Sequence, residues 1–394
     1  MKLLKIDKIK VNNILIALVL GSKIISDTVG MTSILLIGII IAFIINNFEK
    51  KIKKQYILSD IFLIIIGGYF ILDNLVYGGS VYKEAYTKAF ALYFFISIMF
   101  VRAEAQEDKI INILIMIYIL FSPLFLMKNF ENVDSGTLMN YSYDVLPMII
   151  AIIIKIFLIK IKNKKEWILI ALTFPYCSFI FTYGSRNIYL ASIVCLVICL
   201  IIKKKFGMKL FILTITAILT IFIYQNSLEI LYNIQGTLRN YNLSFKIIDK
   251  NINLIEKEDL GNGRTETYKI ALEEFKNEPL TGNGISSFNK KYGTYPHNFI
   301  LQILYEGGIV LLILFIFPLI CGIYEIFFDR KTPPVSKTLL IFLFCNSIMR
   351  LLISYEYWRE MYFWMFITEA ICMFCGKRYK RKEEKNDIGY YTNI

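Results

Sequence analysis

The sequence predicts an all-α integral membrane protein of about twelve transmembrane helices with one large, partly helical extracytoplasmic loop. Three observations lead there. Hydrophobic residues make up 56% of the 394 positions, with a mean hydropathy of +0.56. Apolar runs close to the ~20 residues that one crossing needs recur from end to end. The basic surplus, a net charge of +13, falls mainly in alternate connections between those runs. A soluble core could not hide this much apolar surface. With only 8 prolines and 21 glycines, there is little sequence that reads as a long disordered tail.

The segments follow in order. Residues 1–10 are basic and precede a short apolar stretch at 11–26. No small-x-small cleavage site follows it, so it reads as a retained first span rather than a signal peptide. Further apolar segments lie at 31–47, 57–72, 85–101, 110–127 and 141–159, then at 167–183, 188–202, 208–225, 298–323, 338–355 and 358–375. With the N-terminus inside and the spans alternating, the lysine-rich connections at 48–56, 160–166 and 203–209 and the tail at 377–394 share the inner side. This is the positive-inside pattern, with N- and C-termini cytoplasmic. The charge therefore reports topology and gives no support to nucleic-acid binding. The chain divides into nine spans at 1–225, a loop at 226–297, three spans at 298–376 and a basic cytoplasmic tail.

The loop at 226–297 is the one long connection, and the orientation puts it outside. It carries nine Lys/Arg and nine Asp/Glu, and long charged loops of this kind are usually functional. Asn262-Gly263 supplies a turn before an amphipathic helix expected near 264–277. Arg264, Tyr268, Ala271, Leu272 and Phe275 share one face at helical spacing. Pro279 and Gly282-Asn283-Gly284 end the helix in a tight connection.

The single histidine, His297, stands where this loop meets the next apolar run, in Tyr295-Pro296-His297-Asn298-Phe299. Histidine is the side chain that titrates near neutral pH, although a lone histidine can equally be structural. Nine of the 44 basic residues are arginine. Five of them, Arg186, Arg239, Arg264, Arg350 and Arg359, fall on the outer half, against the topological preference. A guanidinium fits phosphate oxygens bidentately. Arg239 and Arg359 read as surface or interfacial charges. Arg186 and Arg264 read as functional. Arg350, near the outer end of its span, is either a functional charge or the partner of Glu306, about 13 Å down the tenth span.

The sequence has no D-x-D, no second histidine, no P-loop and no outer cluster with metal-ligand spacing. A metal-dependent nucleotide-sugar mechanism and an ATP-driven pump therefore lack support. All seven cysteines lie in or beside apolar runs, and Cys372-x-x-Cys375 has no second pair, so a buried apolar role is expected for them.

Gly263-Arg264-Thr-Glu-Thr-Tyr268, followed by Ala271 and Pro279-Leu280-Thr-Gly282-Asn-Gly284, resembles the R-x3-aromatic…P-L-x-G-x-G pattern of bacterial O-antigen polymerases and O-antigen ligases. His297-Asn298-Phe-Ile-Leu301…Glu306-Gly307-Gly308 is similar to that superfamily's H-N-x2-L…E-x-G stretch. Thr182-Tyr-Gly-Ser185-Arg186 is similar to its upstream T-x-S-R motif. The motifs cover about 60 residues in the expected order.

The resemblance implies a multi-span glycosyltransferase that joins sugar units carried on polyprenyl pyrophosphate, at the outer face of the cytoplasmic membrane, without a cofactor or metal. A lipid pyrophosphate leaving group needs cations, and arginines can supply them. An acceptor hydroxyl needs its proton removed or oriented, which a neutral imidazole can do. The expected site is thus His297 for the acceptor and Arg186 and Arg264 for the pyrophosphate, with Arg350 assisting them. Asn298, Glu306 and Tyr268 are expected to support it. Polymerase, transferring to another lipid-linked repeat unit, is preferred as the commoner branch. Ligase-type transfer to a different acceptor and a lipid-linked oligosaccharide flippase are the alternatives. The lopsided loop and the lack of an evident internal repeat weigh against transport. A chain-length regulator and a flippase are candidate partners.

Overall fold

A computed structural model of the chain describes residues 7–30, 32–47, 57–77, 92–101, 103–129, 135–177, 186–204, 206–240, 246–256, 264–330 and 332–375. Among them every regular element is a helix. The order is α1 (Lys8–Leu20), α2 (Ser22–Val29), α3 (Thr32–Asn47), α4 (Ile57–Tyr77), α5 (Phe95–Val101), α6 (Glu107–Asn129) and α7 (Ser135–Ile154, extended by a π-turn at Lys155–Ile159). Then come α8 (Lys164–Leu172), α9 (Arg186–Ile201), α10 (Phe206–Gln225), α11 (Ser227–Asn240), α12 (Lys246–Glu256), α13 (Arg264–Phe275) and α14 (Ser287–Tyr292). The last three are α15 (Phe299–Phe327), α16 (Thr338–Leu351) and α17 (Met361–Phe374). The tail at 377–394 lies outside the described residues.

Long apolar runs fold as helices because, in hydrocarbon, a helix satisfies its own main-chain polar groups. Five described helices are long and apolar enough to cross a membrane, and six if α1 and α2, bent by 63°, count as one broken span. Five shorter apolar helices accompany them, at Leu36–Asn47, Leu92–Val101, Asn187–Ile201, Gly207–Thr216 and Met361–Phe374. The remaining predicted segment, 167–183, appears as α8 and a helical turn, and then runs into undescribed residues. The chain is a multi-pass membrane protein, and the described helices bear out the all-helical expectation.

Aromatic packing joins the two halves of the chain. The Trp364 ring of α17 lies 5.2 Å from Phe70 of α4, 5.5 Å from Phe94 beside α5 and 5.8 Å from Phe315 of α15. Edge-on contacts at these distances suit the ring quadrupoles.

One end of the bundle is held by lysines. Lys155 pairs with Glu166 at 3.0 Å, Lys203 donates to the Leu158 carbonyl at 3.0 Å, and Lys209 donates to the Phe327 carbonyl at 2.7 Å. Lysines at helix C-termini satisfy carbonyls that the helix leaves open. Arg264, Arg350, Arg359 and His297 gather instead around the turn that follows α16.

The 226–297 loop holds more helix than its sequence pattern suggests. Besides α13, which matches the expected helix, it forms α11 and α12, which pack on each other, and α14. The α13 face is also shifted. Ala271 is buried against Phe288 and Tyr305, whereas Leu272 points outward. The helix seats on α15, and Glu274 replaces Leu272 at the seat by accepting from Tyr305 Oη at 3.0 Å.

Candidate functional site

The site begins with a break in a transmembrane helix. Gly308, within α15, has φ 60° and ψ −158°, which splits the helix into a short N-terminal part and a longer spanning part. In an unbroken helix the amides of Ile309 and Val310 would bond to the carbonyls of Tyr305 and Glu306. Those four groups instead pair with residues 279–284. Ile309 N donates to Pro279 O at 2.9 Å and Val310 N to Leu280 O at 3.2 Å. Asn283 N donates to Tyr305 O at 2.9 Å and Gly284 N to Glu306 O at 2.8 Å. All four of these main-chain groups are satisfied again, as a low-dielectric setting demands.

This splice explains the spacing of the two sequence motifs. A Cβ on Gly282 would lie 2.5 Å from Glu306 C and from Gly307 N, and one on Gly308 would lie 2.4 Å from the Leu280 carbonyl. Side chains there would hold the two segments apart. The α4 helix backs the junction, since Asp73 Oδ2 accepts from Ile285 N at 3.1 Å. The tenth span is therefore not the continuous helix expected from its apolar run.

The short N-terminal part of α15 carries His297 at its head. Asn298 is the N-cap, and its side chain accepts from Ile300 N at 3.0 Å and Leu301 N at 3.2 Å. That is a direct structural role for a residue expected to support the site. His297 precedes it with φ 56°, a left-handed conformation that is strained for most side chains and recurs at functional positions. The imidazole is half-buried, its ring centroid 4.1 Å from that of Tyr295. Burial, and then the Arg264 guanidinium, push it down from 6.5 to about 4, so it is neutral at physiological pH. Its Nδ1 is buried without a hydrogen-bond partner in the described structure.

Arg264, at the first turn of α13, donates from Nη1 to the Ile353 carbonyl at 2.5 Å. The next residue, Ser354, bonds through Oγ to Tyr295 Oη at 3.2 Å. The turn at 352–355 thus holds both the arginine and the tyrosine that flanks His297. Tyr268 lies one helical turn beyond Arg264 and is half-buried.

Arg350 stands beneath the same turn. Its guanidinium pairs with Glu360 at 2.8 Å and sits over the rings of Tyr355 at 3.8 Å and Tyr143 at 4.7 Å. The expected alternative pairing with Glu306 does not form. Glu306 is fully buried, accepting from Gln302 Nε2 and Tyr357 Oη, each at 2.9 Å. Arg359, read from sequence as a surface charge, is about half exposed and pairs with Glu356 at 3.0 Å. Arg186 opens α9, while residues 178–185, including the rest of its motif, lie outside the described set, as do 257–263 ahead of Arg264. The neighbour of Arg186, Asn187, donates to Tyr143 Oη at 3.0 Å, so the first turn of α9 borders Arg350. Among the described residues no group of three or more His, Cys, Asp or Glu is placed to hold a metal ion.

Residues 168–316 match the family model described as O-antigen ligase. The chain carries an O-antigen ligase family domain. The matched stretch contains Arg186, Arg264, His297, Glu306 and the whole glycine splice, and it ends before Arg350. No curated protein matches the chain.

Several members of this candidate site were not singled out from the sequence: Tyr295, Ser354, Tyr355, Glu360 and Tyr143. With 26 tyrosines and 31 phenylalanines in the chain, an aromatic residue carries no local signal. Tyr295 was the most legible, two positions from His297.

Proposed function

We propose that the protein is a polysaccharide polymerase. It moves a glycan from a polyprenyl-pyrophosphate carrier to an acceptor sugar hydroxyl of another lipid-linked repeat unit. The proposed setting is the extracytoplasmic face of the cytoplasmic membrane, with both termini cytoplasmic and no metal required. The observation that carries this reading is the placing of the Arg264 charge near a half-buried His297. The imidazole is held neutral by burial and by that guanidinium, and its Nδ1 lacks a partner. A neutral imidazole can accept or orient the acceptor proton. A guanidinium beside it can stabilise the charge that develops on the departing pyrophosphate. In this reading Arg264 and Arg186 face the pyrophosphate. Arg350, already neutralised by Glu360, assists from beneath the 352–355 turn. Asn298, Glu306 and Tyr268 support the framework.

The test is incubation of the purified chain with a synthetic polyprenyl-pyrophosphate oligosaccharide. A ladder of lengthening lipid-linked glycans is expected, and His297→Ala should lower turnover by about 10²-fold or more. Near-normal turnover of that variant would sink the assignment. The O-antigen ligase description of the matched family favours a second reading, transfer to an acceptor on another carrier. A single transfer to such an acceptor, with no ladder, would establish it.

A further inference from the structure

A cavity of about 200 Å³ lies at the same end of the bundle, behind the 352–355 turn. Its wall includes Lys23, Tyr93, Asp144, Asn346, Arg350 and Glu360. Its charged side chains are three of each sign, Lys23, Arg350 and Arg359 against Asp27, Asp144 and Glu360. Lys23 pairs with Asp144, and Arg350 with Glu360. A second pyrophosphate would meet carboxylates here as well as cations, so a charge-balanced wall selects against it. Tyrosine rings and fixed polar groups in a cavity this size suit a small, neutral, hydroxyl-rich ligand.

Two wall residues carry unpaired polar atoms that point to a more specific ligand. Asn346 is 2% exposed, and its Oδ1 has no hydrogen-bond partner in the described structure; its Nδ2 is spent on the Phe342 carbonyl at 2.8 Å. Arg350 Nε, one helical turn further along α16, is also buried without a partner. Buried polar atoms are rarely left unpaired without a reason. One is an acceptor and the other a donor, four residues apart and so on the same helix face. A hydroxyl group can satisfy both at once, because it donates one hydrogen and accepts through its lone pairs.

We propose that this cavity is a subsite for an uncharged sugar ring of the glycan, one of whose hydroxyls donates to Asn346 Oδ1 and accepts from Arg350 Nε. The proposal rests on the glycan-transfer reading and gives it a sugar-recognition element beside the pyrophosphate arginines Arg186 and Arg264. Arg350 belongs to both, joining the sugar subsite to the turn that holds Arg264.

The experiment is equilibrium binding by calorimetry to the full chain in detergent, with two probes. One is a short-chain polyprenyl-pyrophosphate oligosaccharide and the other is the same lipid pyrophosphate without sugar. Asn346→Leu should weaken the first about tenfold, the loss of one good hydrogen bond, and leave the second within twofold. Arg264→Ala should weaken both. The melting temperature of the Asn346→Leu variant should hold or rise, because an apolar isostere removes an unsatisfied buried acceptor. Equal weakening of both probes by Asn346→Leu, or no change in either, overturns the subsite. A wild-type chain that binds the oligosaccharide through Asn346 but makes no glycosidic bond keeps the subsite and overturns the transfer reading.

Discussion

The Arg264 guanidinium donates to the Ile353 carbonyl across 2.5 Å, tying the head of a loop helix to the turn that follows a transmembrane helix. That turn is the common anchor of the site. Ser354 holds Tyr295, Tyr295 lies against His297, and Tyr355 covers Arg350. Contacts from 187, 264, 295–297 and 350–360 converge although more than 160 residues separate the first from the last in sequence.

The sole histidine offers a clean pH readout. Burial, followed by the Arg264 charge, lowers it from 6.5 to about 4. If transfer needs the neutral ring, activity should stay level as pH falls and drop only on nearing about 4. Arg264→Gln removes the second cause but not the first, so the midpoint should rise part of the way toward 6.5. The imidazole proton resonance of this one histidine, titrated by NMR, checks the shift directly; a midpoint near 6.5 in the unaltered chain would refute it. The stability sign follows from the same shift. Between about 4 and 6.5 the unfolded chain binds more protons at this position than the folded one. The contribution of His297 to stability is therefore complete above about 6.5 and is lost as pH falls toward 4.

The glycine splice predicts a contrast between two alanine substitutions. Gly282 and Gly293 have nearly the same left-handed φ, 68° and 66°, so each alanine carries about 1–2 kcal/mol of backbone strain. At Gly293 a new Cβ meets nothing within 4 Å, whereas at Gly282 it meets the main chain of α15 at 2.5 Å. Gly282→Ala should cost a further ~1–3 kcal/mol for overpacking. Thermal unfolding in detergent should separate the two variants, and equal losses would show that the close approach is not needed.

The Arg350–Glu360 pair predicts non-additive damage. Both side chains are largely buried, so Glu360→Gln strands a buried guanidinium and should cost about 3 kcal/mol or more. Adding Arg350→Met to that background should recover much of the stability. A double-mutant cycle measured by chemical denaturation gives the coupling energy, and a coupling near zero would mean the pair is not important to the fold.

The sequence made the chemistry-bearing residues visible more readily than their arrangement. His297 and Arg264 stood out by rarity and by motif, and the structure brings them together with Ile353 and Tyr295. Asn298 was visible as a neighbour of His297, but its capping role depends on where α15 starts. The partner of Arg350 was not legible, because choosing between Glu306 and Glu360 requires the relative rotation of three helices. Nor did Gly307-Gly308 announce a helix break within an apolar run, since glycine is also tolerated in unbroken membrane helices. Helices α11 and α12 were missed although both are amphipathic, because in a charged stretch their low overall hydrophobicity resembles a solvated loop.

The junction at Gly308 depends mainly on peptide groups, which nearly every residue type offers, with one side-chain bond from Asn283 Nδ2 to the Tyr305 carbonyl at 3.2 Å. Its other side chains can therefore be exchanged widely, while anything that enlarges its glycines forces the two segments apart. A library randomised at Leu280 and Thr281 should retain many functional members, and one randomised at Gly282 and Gly308 very few. For this part of the molecule, a sequence search tuned to residue volume would see more than one tuned to residue chemistry.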